Sequence, residues 1–277
     1  MATDSLTELL NRRFGAGTCR VVQIDGAGAL EGMAGRGSCR QFTAEPVPRD
    51  LVRTLCAVAL SAPSKSDLQQ RDIVLLTDPD LRARIAGLVA GQDWVKDAPN
   101  IAIFCGNNRR QRQLHDRAGV PFANDHLDAF FNAAVDAGVA LSAFVTAAEA
   151  VGLGCCPISG VRNRVDEVAR LLDLPDHVFP VAGMAFGYPA GPSRLSFRLP
   201  LEVTVHENQF AETDVDDAIA TYDARRLDNG DYPTQRFEGQ FGHKPDYSWS
   251  DDKVRQYSQP ERDTFGAYVR RIGFVLE

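Results

Sequence analysis

None of the six cysteines forms a C-x-x-C pair. They stand at 19, 39, 56, 105, 155 and 156. Neither a thioredoxin-type motif nor a disulfide framework is therefore encoded, and reduced thiols are expected. Adjacent Cys155 and Cys156 read as small packing residues rather than as a catalytic thiol pair. The five histidines, at 115, 126, 177, 206 and 243, form no H-x-x-x-H and pair with no thiol at ligand spacing. No metal site is expected. There is no G-x-S-x-G elbow and no Walker A loop, which removes the footholds for a serine hydrolase or a P-loop enzyme. Cationic side chains are outnumbered, 30 Lys and Arg against 37 Asp and Glu, for a net charge of −7. That balance argues against nucleic-acid and membrane-surface partners. Residues 1–30 carry no apolar run of signal-peptide length, and the long apolar stretch further on is too polar in detail to span a bilayer, so a cytoplasmic protein is expected. No internal repeat or low-complexity segment appears.

What is present is an ordinary globular composition, 44% apolar over 277 residues. That is enough for a sizeable core. The chain is organised around Phe130 to Gly160, and from 127 to 151 it contains no Pro, one Gly (Gly138) and only three charges, Asp128, Asp136 and Glu149. A helix apolar nearly all round predicts burial on most sides, at the centre of a domain or of a dimer interface. Gly152 and Gly154 can take the left-handed conformation that stops a helix, and Pro157 prevents resumption. Residues 155–160 are small and poor in charge, suited to a flat backbone lying against a planar partner.

Elsewhere, residues 6–14, 51–60, 78–88 and 165–172 read as helices, the third opened by the Asp78-Pro79 cap. Residues 73–76, 101–105 and 179–186 read as buried strands. Val21-Val-Gln-Ile24 followed by Gly26, Gly28 and Gly32 imitates a dinucleotide loop, but the third glycine is one position late and Gly35 and Gly37 interrupt any helix. A flexible connection is expected there. The alternation of elements predicts one α+β or three-layer domain. Beyond Glu207 charge, aromatics and turn residues dominate until Ile272-Gly-Phe-Val275, so this tail must bury itself against something, such as another subunit.

Arg36, Ser38 and Arg40 place two guanidiniums and a hydroxyl within five residues, donors matched to phosphate oxygens. Ser64, Ser66 and Gln69 offer donors and acceptors for a polar ring edge or a ribityl chain. Together with the flat 152–160 segment and Arg198, they describe a site for a phosphorylated planar cofactor. FMN comes before NAD, because no dinucleotide loop is present.

These motifs resemble the FMN-dependent nitroreductase family, most nearly its branch of oxygen-insensitive NADPH nitroreductases and NADPH:flavin oxidoreductases. The resemblance rests on Gly37-Ser-Cys-Arg40-Gln-Phe42, Ala62-Pro-Ser64-Lys-Ser66-Asp-Leu-Gln69, and the run from Ala147-Ala-Glu149 through Gly152-Leu-Gly154 and Ile158-Ser-Gly160 to Arg162-Asn163. Leu174-Pro, Gly187-Tyr-Pro189, Arg198-Leu-Pro200 and Val205-His-Glu-Asn208 continue it. It covers about residues 36–210 and extends weakly to Tyr222-Asp and Trp249-Ser. It implies an α+β nitroreductase-like FMN-binding fold, with a central antiparallel sheet flanked by helices, in an intertwined homodimer whose FMN sites lie between subunits. The division implied is 1–35 as N-terminal helix and connection, 36–210 as FMN-binding core, and 211–277 as an extension wrapping the partner.

Carried over by position, Arg36, Ser38, Arg40 and Arg198 hold the FMN phosphate, and Ser64, Ser66 and Gln69 meet the ribityl chain and ring edge. The backbone of Pro157, Ile158, Ser159 and Gly160 runs beside the redox edge. Arg162 matches an NADPH-phosphate contact, with a structural salt bridge as the alternative. No side chain is catalytic and no metal is implied. The activity implied is ping-pong reduction of nitroaromatics and quinones by NADPH or NADH through FMN, on small-molecule acceptors. The alternatives are a flavin reductase supplying reduced flavin to a partner, a specialised reductase such as a dehalogenase, and a flavin-binding protein without turnover. Two departures stand out: Gly37 replaces the usual second Arg, and Ser196 stands where this branch commonly has Lys.

Overall fold

A computed structural model describes residues 5–16, 28–89, 91–212, 214–230 and 232–277. The strand-like Val21 to Ile24 stretch, Gly26 and Cys19 lie outside these residues. The helices are α1 Leu6–Phe14, α2 Gly28–Gly35, α3 Arg49–Leu60, α4 Pro79–Gly87, α5 Arg109–Ala118, α6 Leu127–Ala150, α7 Val165–Leu171, α8 Leu201–Thr204, α9 Val215–Asp228, α10 Glu238–Phe241, α11 Trp249–Tyr257 and α12 Phe265–Arg271. The strands are β1 Arg71–Leu75, β2 Asn100–Asn107, β3 Gly154–Ile158 and β4 Val178–Gly187. The chain divides into two units, Met1–Gly37 with Arg194–Glu261, and Ser38–Ser193 with Arg262–Glu277. This division cuts the chain differently from the expected core at 36–210.

The second unit is built on an antiparallel sheet of order β1-β2-β4-β3. Successive side chains of a strand point to opposite faces, so an unbroken apolar strand must be covered on both. Ala102 and Phe104 of β2 pack with Phe144 and Ala148 of α6 and Leu55 of α3. Ile101, Ile103 and Cys105 pack on the other face with Ile85 of α4, Val168 of α7 and Val161. The result is the three-layer arrangement expected for an α+β chain. A third cluster joins Ala133 of α6 and Phe179 of β4 to Tyr268, Val269 and Phe274 of the returning C-terminal segment, with Phe130 and Phe265 against it.

Helix α6 buries one stripe, including Ala133, Asp136, Ala137, Ala140, Phe144 and Ala148. The expectation of burial on most sides is corrected within this unit, because Leu127, Phe131 and Val135 are exposed on another face. The expectation that it is too polar to span a bilayer also needs correction, since by length and composition the helix passes that test. Its alanine stripe packs on the sheet, and its Asp136 is taken up by backbone N–H groups of Lys65 and Gln70, just before β1. Gly152 ends it with φ +83°. Gly154 does not take a left-handed conformation, as anticipated, but enters β3. The segment expected as a flat loop is an edge strand followed by a 3-10 turn at Ser159–Arg162. Pro157 is tolerated because an edge strand can dispense with one N–H.

In the first unit, α2 stands at Gly28–Gly35, where part of the flexible connection was expected. Ala, Leu, Glu and Met are strong helix formers and outweigh the glycines that the sequence reading took as breakers. Helix α1 opens with a Ser5/Glu8 capping box. The tail segment of this unit has a small core of its own, assembled from aromatics and arginines rather than an apolar run. Tyr222 meets Trp249 edge-on at 5.2 Å, and buried Arg255 lies 5.4 Å from the ring centre of Phe241 and 4.9 Å from that of Tyr247. Each such cation–π contact contributes on the order of 0.5–2 kcal/mol.

Candidate cofactor site

The segment carrying Ser38 and Arg40 is stitched to the β3 edge of the sheet. Cys39 N donates to Cys155 O at 3.0 Å, Thr43 N to Tyr188 O at 2.8 Å and Ala190 N to Gln41 O at 3.0 Å. Gly154 has no room for a side chain, since a Cβ there would lie 2.6 Å from the Cβ and Sγ of Cys39. The close approach demanded by these hydrogen bonds is why glycine stands there. Arg40 is exposed, with its guanidinium 5.9 Å from the ring centre of Trp94. Along the adjoining backbone Pro157 and Ser159 are exposed, while Ile158 and Gly160 are buried. A Cβ on Gly160 would lie 2.8 Å from Cγ1 of Val89.

Ser64, Ser66 and Gln69 share one loop that runs directly into β1. Ser64 Oγ accepts from Gln69 N at 3.2 Å, and Gln69 Nε2 donates to Asp67 Oδ1 at 3.0 Å. Ser66, Asp67 and Gln69 have φ of 49°, 55° and 51°. Three non-glycine residues in the left-handed region cost about 1–3 kcal/mol each and persist only where the surroundings impose them. The structure thus gathers Ser38 and Arg40 beside β3, and Ser64, Ser66 and Gln69 before β1. It does not bring the two groups together along the sheet, because β1 and β3 are its opposite edges.

Arg36 and Arg198 belong to the first unit. Buried Arg13 ties their segments together, donating from Nε to Ala34 O at 2.9 Å, from Nη1 to Ser196 O at 3.1 Å and from Nη2 to Arg36 O at 2.7 Å. Arg198 N donates back to Arg13 O at 2.7 Å. The Arg198 guanidinium is exposed and oriented by Ser196, whose Oγ accepts from Nη1 at 2.7 Å. Ser196 therefore positions a neighbouring cation instead of supplying one. Nothing in the sequence singles out Arg13, since an arginine in the last turn of an amphipathic helix reads as solvated.

Arg162 sits in the 3-10 turn after β3. Its Nε is buried with no hydrogen-bond partner, and its guanidinium lies 5.6 Å from the ring centre of Phe265. Burial lowers its pKa, and the charge of Arg262 adds to the effect. The half-buried guanidinium thus has an unused Nε donor and a second cation nearby. Burial pushes the Cys105 thiol up to about 12, with Asp72 adding to the shift. It also raises Cys56 against the opposing charge of Arg53. Neither is a thiolate nucleophile at neutral pH.

The fold and this edge-built site define an α+β domain that offers hydroxyls, a carboxamide, guanidiniums and open backbone rather than a catalytic side-chain cluster. The chain belongs to the Nitroreductase family, whose model matches residues 33–188. Residues 197–277 match the model of the Nitroreductase family, C-terminal domain. The chain is 38% identical to an oxygen-insensitive NADPH nitroreductase of Salmonella typhimurium across 70% of this chain and 79% of that protein. It is 30% identical to an FMN reductase (NADPH) of Bacillus subtilis across 88% of this chain and 97% of that protein. The solved structure of B. megaterium NfrA2 matches with a TM-score of 0.81 at 31% identity, covering 90% of this chain and 98% of that one.

Proposed function

We propose that this protein is a cytoplasmic, homodimeric, FMN-dependent NAD(P)H oxidoreductase that reduces electron-poor small molecules such as nitroaromatics and quinones. The observation that carries this reading is the stitching of the segment with Ser38 and Arg40 onto β3 at Cys155, the strand whose far end runs into the open backbone at 157–160. The residues fit FMN. Arg40 exposes a guanidinium suited to a phosphate, and the loop at 64–69 presents hydroxyls and a carboxamide suited to a polyol and a ring edge. Arg36 and Arg198 are the further phosphate ligands of this reading, and Arg162 is the contact for the phosphate of NADPH.

FMN, when bound, supplies the redox chemistry, taking a hydride from the nicotinamide and passing electrons to the acceptor. The chain's own part is to hold and orient. Buried Gly160 and Ile158 fix the backbone at 157–160, and Arg162 selects the donor by charge. In this reading donor and acceptor occupy the same place in turn, which gives ping-pong kinetics, and no nucleophile or proton relay is required. The separation of the loop at 64–69 from β3 across the sheet supports a homodimer in which each cofactor is held by loops of both copies. The name FMN reductase (NADPH) on a relative that aligns over most of this chain favours a second reading, reduction of free flavin for a partner.

The test is the visible spectrum of the purified protein, then anaerobic NADPH. Oxidised-flavin bands that bleach with NADPH and return with a nitroaromatic are expected. Bands that bleach with neither NADPH nor NADH would leave only a flavin-binding protein, while turnover confined to added free FMN would select the second reading. Arg198→Ala should retain less FMN through dialysis, and unchanged retention counts against its phosphate role.

A further inference from the structure

The loop at 64–70 is held from two sides by groups that belong to none of the cofactor-contact positions. From α6, the buried carboxylate of Asp136 accepts from Lys65 N at Oδ1 and from Gln70 N at Oδ2, both at 3.0 Å. These two N–H groups bracket the left-handed Ser66, Asp67 and Gln69. From α5, Gln111 Nε2 donates to Leu68 O and Arg110 Nη2 to Gln69 O, both at 2.6 Å. Two of the loop's donors therefore face one helix and two of its acceptors the other. Its preceding end is fixed as well, because buried Arg71 donates to Leu60 O at 2.8 Å and to Pro63 O at 2.9 Å. Arg71 Nη1 stands 3.9 Å from Asp136 Oδ2, both side chains almost wholly buried.

We propose that Asp136 is the positioning residue of the cofactor loop, with Gln111 as its counterpart on the carbonyl side. This rests on the FMN reading above. Asp136 touches no cofactor in this assignment. It holds Ser66, Asp67 and Gln69 in a backbone conformation that the free chain disfavours, so the loop meets its ligand already ordered and no ordering entropy is charged to binding. A carboxylate is needed because both of its oxygens accept and neither faces a hydroxyl or amide donor of a side chain. An asparagine of the same shape would turn an N–H₂ group toward a backbone N–H.

The experiment compares wild type, Asp136→Asn and Gln111→Leu, each freed of cofactor. FMN titration by fluorescence quenching gives the dissociation constant, and amide hydrogen exchange follows residues 64–70 and strands β2 and β4. Asp136→Asn is expected to weaken FMN binding about tenfold or more, the effect of one lost charge-assisted hydrogen bond, with faster exchange confined to the loop. Gln111→Leu puts no donor against a donor, leaving only the Leu68 carbonyl without its partner, and should move both readouts the same way by less. It decides the matter if Asp136→Asn does not fold. A variant that loosens the loop yet binds FMN as tightly as wild type overturns the positioning role. A wild-type chain that binds no FMN overturns the underlying functional reading instead.

Discussion

His177 is the residue whose protonation matters most to the chain's end. Its Nε2 lies 3.0 Å from Gly273 O, and its backbone N–H donates to Ile272 O at 2.9 Å. The ring's pKa is held below its ordinary 6.5 by burial first and by the charge of Arg112 second, with the Gly273 carbonyl, Asp125 and Asp176 opposing. The unfolded chain therefore binds a proton that the folded chain resists. Stability from this group is complete above the ordinary value of 6.5 and is lost as pH falls from there toward the lowered folded value. The melting temperature should decline over that window in wild type and decline less in His177→Gln. Equal slopes would remove His177 as the cause. At this scale the sequence was legible where chemistry clusters. Arg36, Ser38, Arg40 and the hydroxyl run ending in Gln69 stand out by composition. Asp136 was visible as a rare charge on an apolar helix, yet its two backbone partners are 71 and 66 residues away and leave no local trace.

Among the elements, β3 with its 3-10 turn is the most constrained. Gly160→Ala would press a methyl against Val89 Cγ1 and should cost about 1–3 kcal/mol of stability, with loss of FMN retention. Adding Val89→Ala should restore much of both, and a double-mutant cycle by urea denaturation measures the coupling. Additive effects would mean that the crowding is relieved elsewhere. β1, β2 and β4 were legible because each is an apolar run bounded by turn residues. β3 was not, because glycine, two cysteines and a proline have little strand propensity and are stranded only by the partner edge. Helix α5 escaped for the opposite reason. Its sequence is almost entirely polar, and it is held by contacts such as the Arg112 to Asp125 fork and Gln111.

For the whole molecule, the proposed homodimer has a specific surface to use. Leu127, Phe131 and Val135 recur every fourth residue along α6 and are 49%, 59% and 45% exposed. Such spacing lays one apolar stripe along the helix, and a stripe this size is normally covered. Phe131→Lys should shift the protein from dimer to monomer in light scattering and release FMN if loops of both copies are required. A dimer unchanged in mass would place the interface elsewhere.

The sheet unit is discontinuous along the chain, since Arg262–Glu277 rejoins it only after residues 194–261 have gone to the other unit. During synthesis Phe130 and Phe179 leave the ribosome long before Phe265 and Phe274, the rings that close around them. The sheet can pair early, but its aromatic end cannot be sealed until residues 262–277 have been made. A nascent chain paused before Arg262 therefore presents an open aromatic face, and a chaperone or a neighbouring chain can reach it before the protein's own terminus does.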